Sequence, residues 1–192
     1  MKLNLGCGNR KIPGWVNVDH SAACQPDQVV ELESFPWPWP DGSVEEVLLN
    51  HSLEHMGETT AGYIGIIKEL WRVCRAGASI TIVVPHPRHD DFLGDPTHVR
   101  AITVPGLQLF SRKMNDQWIK DGAANTPLAI QHGVDFDVVH VETKLEEPWL
   151  SRLESKRMSE KEIIQDAKRY NNVVKEQKIV LKVVKTAGQP GS

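Results

Sequence analysis

MKLNLGCGNRKIPGWVNVDH, residues 1–20, holds two short apolar runs, each ending on a group that a ligand could use. Lys2–Leu5 reads as a buried strand running into Gly6-Cys7-Gly8, and Trp15–Asp19 as a second strand ending on a carboxylate. Gly6 and Gly8 let the backbone turn sharply at the carboxyl end of a strand and come close to a ligand, because neither carries a Cβ. Asp19, at the end of the next strand, can accept hydrogen bonds from both hydroxyls of a ribose. The pairing suits a nucleotide-like cofactor. Ten residues separate Gly8 from Asp19, close to the lower limit for a parallel crossover, so the first connection holds at most a short helical turn. A G-x-G by itself is a weak signal, and the rest of the chain has to agree with it.

Working outward, Val29–Leu32 is a candidate third strand. In FPWPWPDGS (35–43) alternating prolines forbid helix and ladder alike, and Asp41-Gly42 marks a turn. Trp37 and Trp39, between those prolines, are expected to cap the sheet edge rather than stack on a ligand, given the apolar area an indole buries. Val44–Asn50 reads as a fourth strand, followed by HSLEHM (51–56). Thr59–Arg75 has helical spacing, with Ile64, Ile67, Leu70, Trp71 and Cys74 on one face, Arg72 and Arg75 in the last turn and Gly77 placed to close it. Ser79–Val84 reads as a central strand stopped by Pro85. From His86 to His132 prolines and glycines punctuate short apolar patches, the pattern of a functional loop region. Val134–Val141 is expected to be a strand. Ser159 and Glu162 form a capping box opening a helix to about Lys175, and Lys178–Lys185 is a final strand. Strands alternating with helices argue for a doubly wound α/β domain over residues 1–185, with ligands outside the carboxyl edge of its sheet and a frayed tail at 186–192.

Composition narrows the function classes. With 192 residues, 40% hydrophobic and 24% charged, the chain reads as one soluble domain with a substantial core. A net charge of −3 argues against a general electrostatic grip on nucleic acid. No apolar run reaches membrane-spanning length and no signal peptide is evident, so a cytoplasmic location is expected. Cys7, Cys24 and Cys74 lack paired metal spacing and read as reduced thiols, Cys7 serving as a small turn residue.

Four segments in order carry a family resemblance: LNLGCGN (3–9), VNVD (16–19), WPDGSVEEVLLNHSLEH (39–55) and KELWRVCRAGASITIVVP (68–85), with a weaker fifth at GDPTHVR (94–100). The chain resembles class I S-adenosylmethionine-dependent methyltransferases, in particular small type 11-like members that begin with an LNLGCGN motif. That resemblance implies a Rossmann-like, mostly parallel seven-stranded sheet with an antiparallel last strand, and S-adenosyl-L-methionine as cofactor. It implies that Leu5, Gly6, Cys7 and Gly8 contact the amino-acid moiety of the cofactor, that Asp19 binds the ribose hydroxyls and that His20 lies beside the adenine. Glu31 and Leu32 would meet the adenine edge, and Asn50, His51 and Ser52 would flank the methionine portion. Asn4 stands where many members carry an acid, keeping hydrogen-bonding capacity without the charge. The acceptor would lie against 86–132, assisted by HSLEH (51–55).

Methyl transfer to a hydroxyl needs a proton removed, and an imidazole titrates near neutrality; His51 and His98 are therefore the candidate catalytic bases. His86, His89 and His98, with Asp90, Asp91 and Asp95 nearby, offer donors suited to Zn²⁺ or Fe²⁺, but their spacing is irregular and matches no ligand motif, so no metal is expected. A nicotinamide oxidoreductase would want a third glycine after Gly6-Cys7-Gly8, where Asn9, Arg10 and Lys11 stand instead. The sequence after the fourth strand, Asn50-His51-Ser52-Leu53, has neither the Asn/Asp-Pro-Pro-aromatic motif of amine methylases acting on nucleic-acid bases nor the Pro-Cys nucleophile of cytosine-C5 enzymes. The expected partner is a methyl acceptor among sugars, small metabolites and protein side chains. A cofactor-binding protein without turnover is the alternative, since a fold does not fix an activity.

Overall fold

Strand β1 (Lys2–Leu5) sits between two parallel neighbours, β2 (Val16–Asp19) and β4 (Val44–Asn50). Beyond β2 lies β3 (Gln28–Val29); beyond β4 lie β5 (Cys74–Pro85), β7 (Val174–Val183) and β6 (Phe136–Leu145). The computed structural model describes residues 1–189 and 191. Its sheet runs β3-β2-β1-β4-β5-β7-β6, and β7 is antiparallel to both β5 and β6. β7 thus opposes the other six strands, the Rossmann-like arrangement expected. The chain proceeds from β1 to one side and later returns to β4 on the other, so the crevice of a topological switch point opens at the carboxyl ends of β1 and β4.

The helices are α1 (Thr60–Val73), α2 (Asp90–Leu93), α3 (Val104–Gln108), α4 (Arg112–Lys120), α5 (Leu128–His132), α6 (Trp149–Glu154) and α7 (Glu160–Arg169). α1 lays Ile66, Ile67, Leu70 and Trp71 on the sheet, where they join Leu3, Leu5, Val18, Leu49, Ile80, Ile82 and Ile179 in one core cluster. Its N-cap is Thr59, whose hydroxyl accepts from the Gly62 N–H at 3.1 Å. No helix among the described residues is long and apolar enough to cross a membrane.

Several boundaries differ from the sequence reading, each for a local reason. α1 stops at Val73 because Cys74, fully buried, turns extended (φ −76°, ψ 140°) and pairs with Val44. Gly77 does not close the helix: it lies inside β5, where the register to β4 jumps from Val44↔Cys74 to Glu46↔Ser79, and its φ of +72° suits the bulge. β3 covers only Gln28–Val29, leaving Glu31 and Leu32 in the turn beyond it. The capping box at Ser159 and Glu162 is present, but α7 ends at Arg169. Asn172 follows with φ +61°, its amide bonded to the Asp90 carboxylate at 2.8 Å, and β7 starts early, at the buried Val174 just after the buried Val173. β6 starts at Phe136 and runs to Leu145. The segment 86–132 is not loop throughout; four short helices, α2 to α5, punctuate it. Of the expected tail, Pro190 and Ser192 lie outside the described residues, while the Gly191 carbonyl accepts from the Ala76 N–H at 3.0 Å.

Candidate functional site

Asp19 ends β2, and its buried carboxylate, 7% exposed, is aimed by two backbone donors: Gly8 N–H to Oδ2 at 2.8 Å and Ser21 N–H to Oδ1 at 2.9 Å. Each oxygen keeps a second lone pair for a ligand. Gly8 reaches Asp19 because the turn after β1 is left-handed at Gly6 (φ +67°) and Gly8 (φ +48°). Gly6 is also required for space. A Cβ there would stand 2.5 Å from the Ser52 Cβ, while the Ser52 hydroxyl donates to the Leu5 carbonyl at 3.0 Å. The carboxyl ends of β1 and β4 are thereby clasped together.

A cavity of about 530 Å³ opens over this clasp, lined by Gly6, Gly8, Asp19, His20, Glu31, Leu32, His51 and Ser52 among the expected residues, with Val30, Glu33, His55, Met56 and Thr97 added. A second cavity of about 580 Å³ shares Gly6, Gly8, His51 and His55 with the first and adds Cys7, Asn9, Arg10, Asn50, Glu54, Pro85, Asp91, Asp95 and His98. The expected cofactor and acceptor residues therefore fall on two adjoining hollows at the switch point. Leu5 is fully buried and lines neither, offering only its carbonyl to Ser52. Asn4, 2% exposed, also stands off both; its amide donates to the Arg10 carbonyl at 2.9 Å and to Asn17 Oδ1 at 3.0 Å, bracing the glycine turn against β2. Trp37 and Trp39 are 3% and 4% exposed and meet edge to face; they belong to the core cluster, where a cap on the sheet edge was expected, and line neither hollow.

His51 follows β4 with a left-handed backbone, φ +52°, where a non-glycine residue is strained. Its ring lies between two carboxylates, Nδ1 at 3.5 Å from Glu54 Oε1 and Nε2 at 2.7 Å from Glu176 Oε2. Glu54 first, then Glu176, raise its pKa above the ordinary histidine value against the opposing effect of burial. That shifts the ring toward its protonated form, with each nitrogen facing a carboxylate.

His98 is different. Its Nδ1 donates to the Phe92 carbonyl at 2.9 Å, so Nε2 carries the lone pair, and the ring is stacked on Phe92 with centroids 5.2 Å apart. His55 lies against it at 4.5 Å between centroids. His55 Nδ1 pairs with Thr97 Oγ1 at 2.9 Å; because the Thr97 hydroxyl donates to Asp95 Oδ1 at 2.6 Å, the imidazole is the donor, and the neutral ring has its lone pair on Nε2. The other two histidines are turned to local tasks. His86 Nδ1 accepts from the Arg88 N–H at 3.2 Å, and the buried His89 caps α2 through the Asp91 N–H at 3.0 Å with Nε2 3.3 Å from Glu146. They do not converge with His98.

Glu54, His55 and Thr97 fell inside the segments assigned to the acceptor, 51–55 and 86–132, but were not singled out as site residues. HSLEHM placed the first two beside His51, but only the fold of 86–100 onto the Leu53–His55 turn gives them neighbours: the Glu54 carbonyl accepts from Val99 and Arg100 N–H at 2.9 and 3.2 Å. Glu176 is 125 residues from His51 and comes to it only through the antiparallel placement of β7 beside β5.

No protein-family model and no curated protein sequence matches the chain. Solved structures do. A SAM-dependent methyltransferase from Archaeoglobus fulgidus aligns at 17% identity and TM-score 0.60, over 94% of this chain and 85% of that one. A SAM-dependent methyltransferase from Methanosarcina mazei aligns at 14% identity and TM-score 0.54, over 96% and 92%. The [4+2]-cyclase SpnF aligns at 13% identity and TM-score 0.52, over 96% and 75%. The chain has the fold that these proteins share, the Rossmann-like fold of class I methyltransferases.

Proposed function

We propose that the chain, acting as one domain over residues 1–185, binds S-adenosylmethionine in the hollow over Gly6, Gly8 and Asp19 and transfers its methyl group to a polar acceptor held in the adjoining hollow. One observation carries this reading: the Asp19 carboxylate is held by the Gly8 and Ser21 N–H groups yet still faces a cavity at the switch point. A ribose diol is the ligand feature that pairs with such a carboxylate. Gly6, Cys7, Gly8 and Ser52 are assigned to the methionine portion with Asn50 and His51, and His20, Glu31 and Leu32 to the adenine side. Leu5 and Asn4 support the turn from behind.

The reaction asks little of the protein beyond alignment. The sulfonium makes the methyl carbon electrophilic; an acceptor lone pair forms the new bond as the S–C electron pair stays on sulfur, leaving neutral S-adenosylhomocysteine. For a hydroxyl acceptor the proton goes to His98 Nε2, the lone pair that the Phe92 carbonyl keeps free. His51, held between Glu54 and Glu176 beside the same hollow, is the second candidate base.

Calorimetry with S-adenosylmethionine, S-adenosylhomocysteine and NAD(H) tests the reading. Saturable binding of the first two and none of the third is expected; NAD(H) binding alone overturns it. The second reading, cofactor binding without methyl transfer, is favoured by SpnF among the structural neighbours, a [4+2]-cyclase that shares the fold. Labelled-methyl transfer across sugars, small metabolites and peptides separates the two, and firm cofactor binding with no acceptor methylated selects the second.

A further inference from the structure

Glu54 has 0% of its surface exposed, and neither carboxylate oxygen has a hydrogen-bond partner among the described residues. Stripping a carboxylate of water without giving it donors is costly, and such a group is retained where another ligand satisfies it. Its one ion-pair contact among the described residues is His51 Nδ1 at 3.5 Å, at the edge of hydrogen-bonding range, on a ring whose Nε2 is held more closely by Glu176 at 2.7 Å. His55 and His98 stand on the open side, each offering a donor atom that lies with a Glu54 oxygen within a mutual spread of 4.8 Å.

The supporting contacts are those of metal-ligating histidines. A ligating imidazole hands its other ring N–H to a fixed acceptor, which sets its tautomer. His98 Nδ1–H goes to the Phe92 carbonyl, and His55 Nδ1–H goes to Thr97, itself locked by Asp95. Both Nε2 lone pairs are thereby kept for another partner. Asp95 and Asp91 border the same hollow and add negative charge around it.

We propose that Glu54, His55 and His98 form a binding site for one first-row divalent transition-metal ion, with its remaining coordination positions open to the hollow lined by Asn50, Pro85 and Asp95. Two imidazoles and one carboxylate suit Zn²⁺, Co²⁺ or Fe²⁺ better than Mg²⁺ or Ca²⁺, which favour all-oxygen shells. Small side-chain rotations close the 4.8 Å spread to metal–ligand distances of about 2.0–2.2 Å. This replaces the sequence expectation of no metal: the irregular spacing of His86, His89 and His98 hid a site whose other members belong to the Leu53–His55 turn. The site stands independently of methyl transfer. Where the ion is bound, it uses the His98 lone pair that would otherwise take the acceptor's proton, so ion and base are exclusive uses of one nitrogen.

The test is titration of the chelator-treated protein with Co²⁺, followed by visible absorption, with S-adenosylhomocysteine calorimetry on the same samples. One equivalent of Co²⁺ should bind with the bands of a nitrogen/oxygen site and be displaced by Zn²⁺. Glu54→Gln and His98→Ala should each weaken Co²⁺ binding by at least tenfold while S-adenosylhomocysteine binding persists; His86→Ala should change nothing. Should Glu54→Gln fail to fold, His98→Ala carries the same reading. Absence of saturable one-to-one binding, or binding unaltered in both variants, overturns the site. Failure of the wild-type protein to bind Co²⁺ while it binds S-adenosylhomocysteine sinks this inference alone, and one-to-one Co²⁺ binding without S-adenosylhomocysteine binding sinks only the cofactor assignment.

Discussion

Glu69 and Glu54 are both carboxylates shut away from solvent, at 8% and 0% exposure, and the chain treats them in opposite ways. Glu69 accepts three hydrogen bonds, from the Trp37 N–H at 2.6 Å and from Arg72 Nε and Nη2 at 2.8 and 2.6 Å. Arg72 then donates to the Trp37 and Trp39 carbonyls and to Asp41, tying the proline-rich segment 35–42 to α1. Among the described residues, Glu54 has no such donors. A fully satisfied carboxylate fixes shape, whereas an unsatisfied one held on a hollow is a reserve for something that arrives later.

The widest gap between the two regions should appear on removing Arg72. Arg72→Ala leaves Glu69 buried without its fork and orphans two carbonyls, and is expected to cost about 3 kcal/mol of stability, the scale for breaking a buried pair from one side. Urea unfolding measures it. A loss under about 1 kcal/mol would put the pair in the class of surface ion pairs and erase the contrast.

Asp19 stands between the extremes, with two backbone donors and a face on the cavity. Asp19→Ala should weaken S-adenosylhomocysteine binding by about tenfold or more, since charged hydrogen bonds are worth roughly 1.5–3 kcal/mol each. The thermal midpoint of the cofactor-free protein should move little. An unchanged dissociation constant would show that Asp19 does not meet the ligand. Glu54→Gln comes next in size: it removes a buried charge whose one ion-pair contact, His51 at 3.5 Å, is long, and should leave stability within about 1 kcal/mol of the wild type or raise it. A loss as large as that of Arg72→Ala would mean that Glu54 is structural after all.

Local sequence signals carried the parts of this molecule whose partners are close along the chain. Gly6, Gly8 and Asp19 lie on two adjacent strands, and the left-handed turn and the strand-end carboxylate were readable from residue type and spacing. The face of α1 was readable in the same way. Glu69 was not singled out, because its partner Trp37 lies 32 residues back in a segment with no regular period. The Glu54–His55–His98 cluster was hidden for the same reason: its third member arrives on a segment 43 residues on, pinned by backbone bonds from Val99 and Arg100 that no side-chain pattern announces. Helix ends were misplaced where burial overrode propensity, at Cys74 and at Val174, both drawn into strands by the core.

The smallest effect sharpens the same comparison through pH. Burial pushes the Glu69 carboxyl up, but the Arg72 fork and the Trp37 N–H outweigh it and hold the pKa below the ordinary glutamate value. A carboxylate depressed in the folded state binds protons more readily when unfolded, so its contribution is present above the unfolded pKa, about 4.3, and is lost as pH falls through the folded value. The unfolding free energy of the wild type should therefore decline more steeply below that point than that of Glu69→Gln, which has no proton to take up there. Other depressed acids, Asp27, Asp95 and Glu162 among them, add to the acid limb of both proteins and cancel in the difference. Urea midpoints measured from neutrality into the acid limb give the two slopes. Parallel slopes would mean that Glu69 is not held as a carboxylate by Arg72, and that its contrast with Glu54 is one of burial alone.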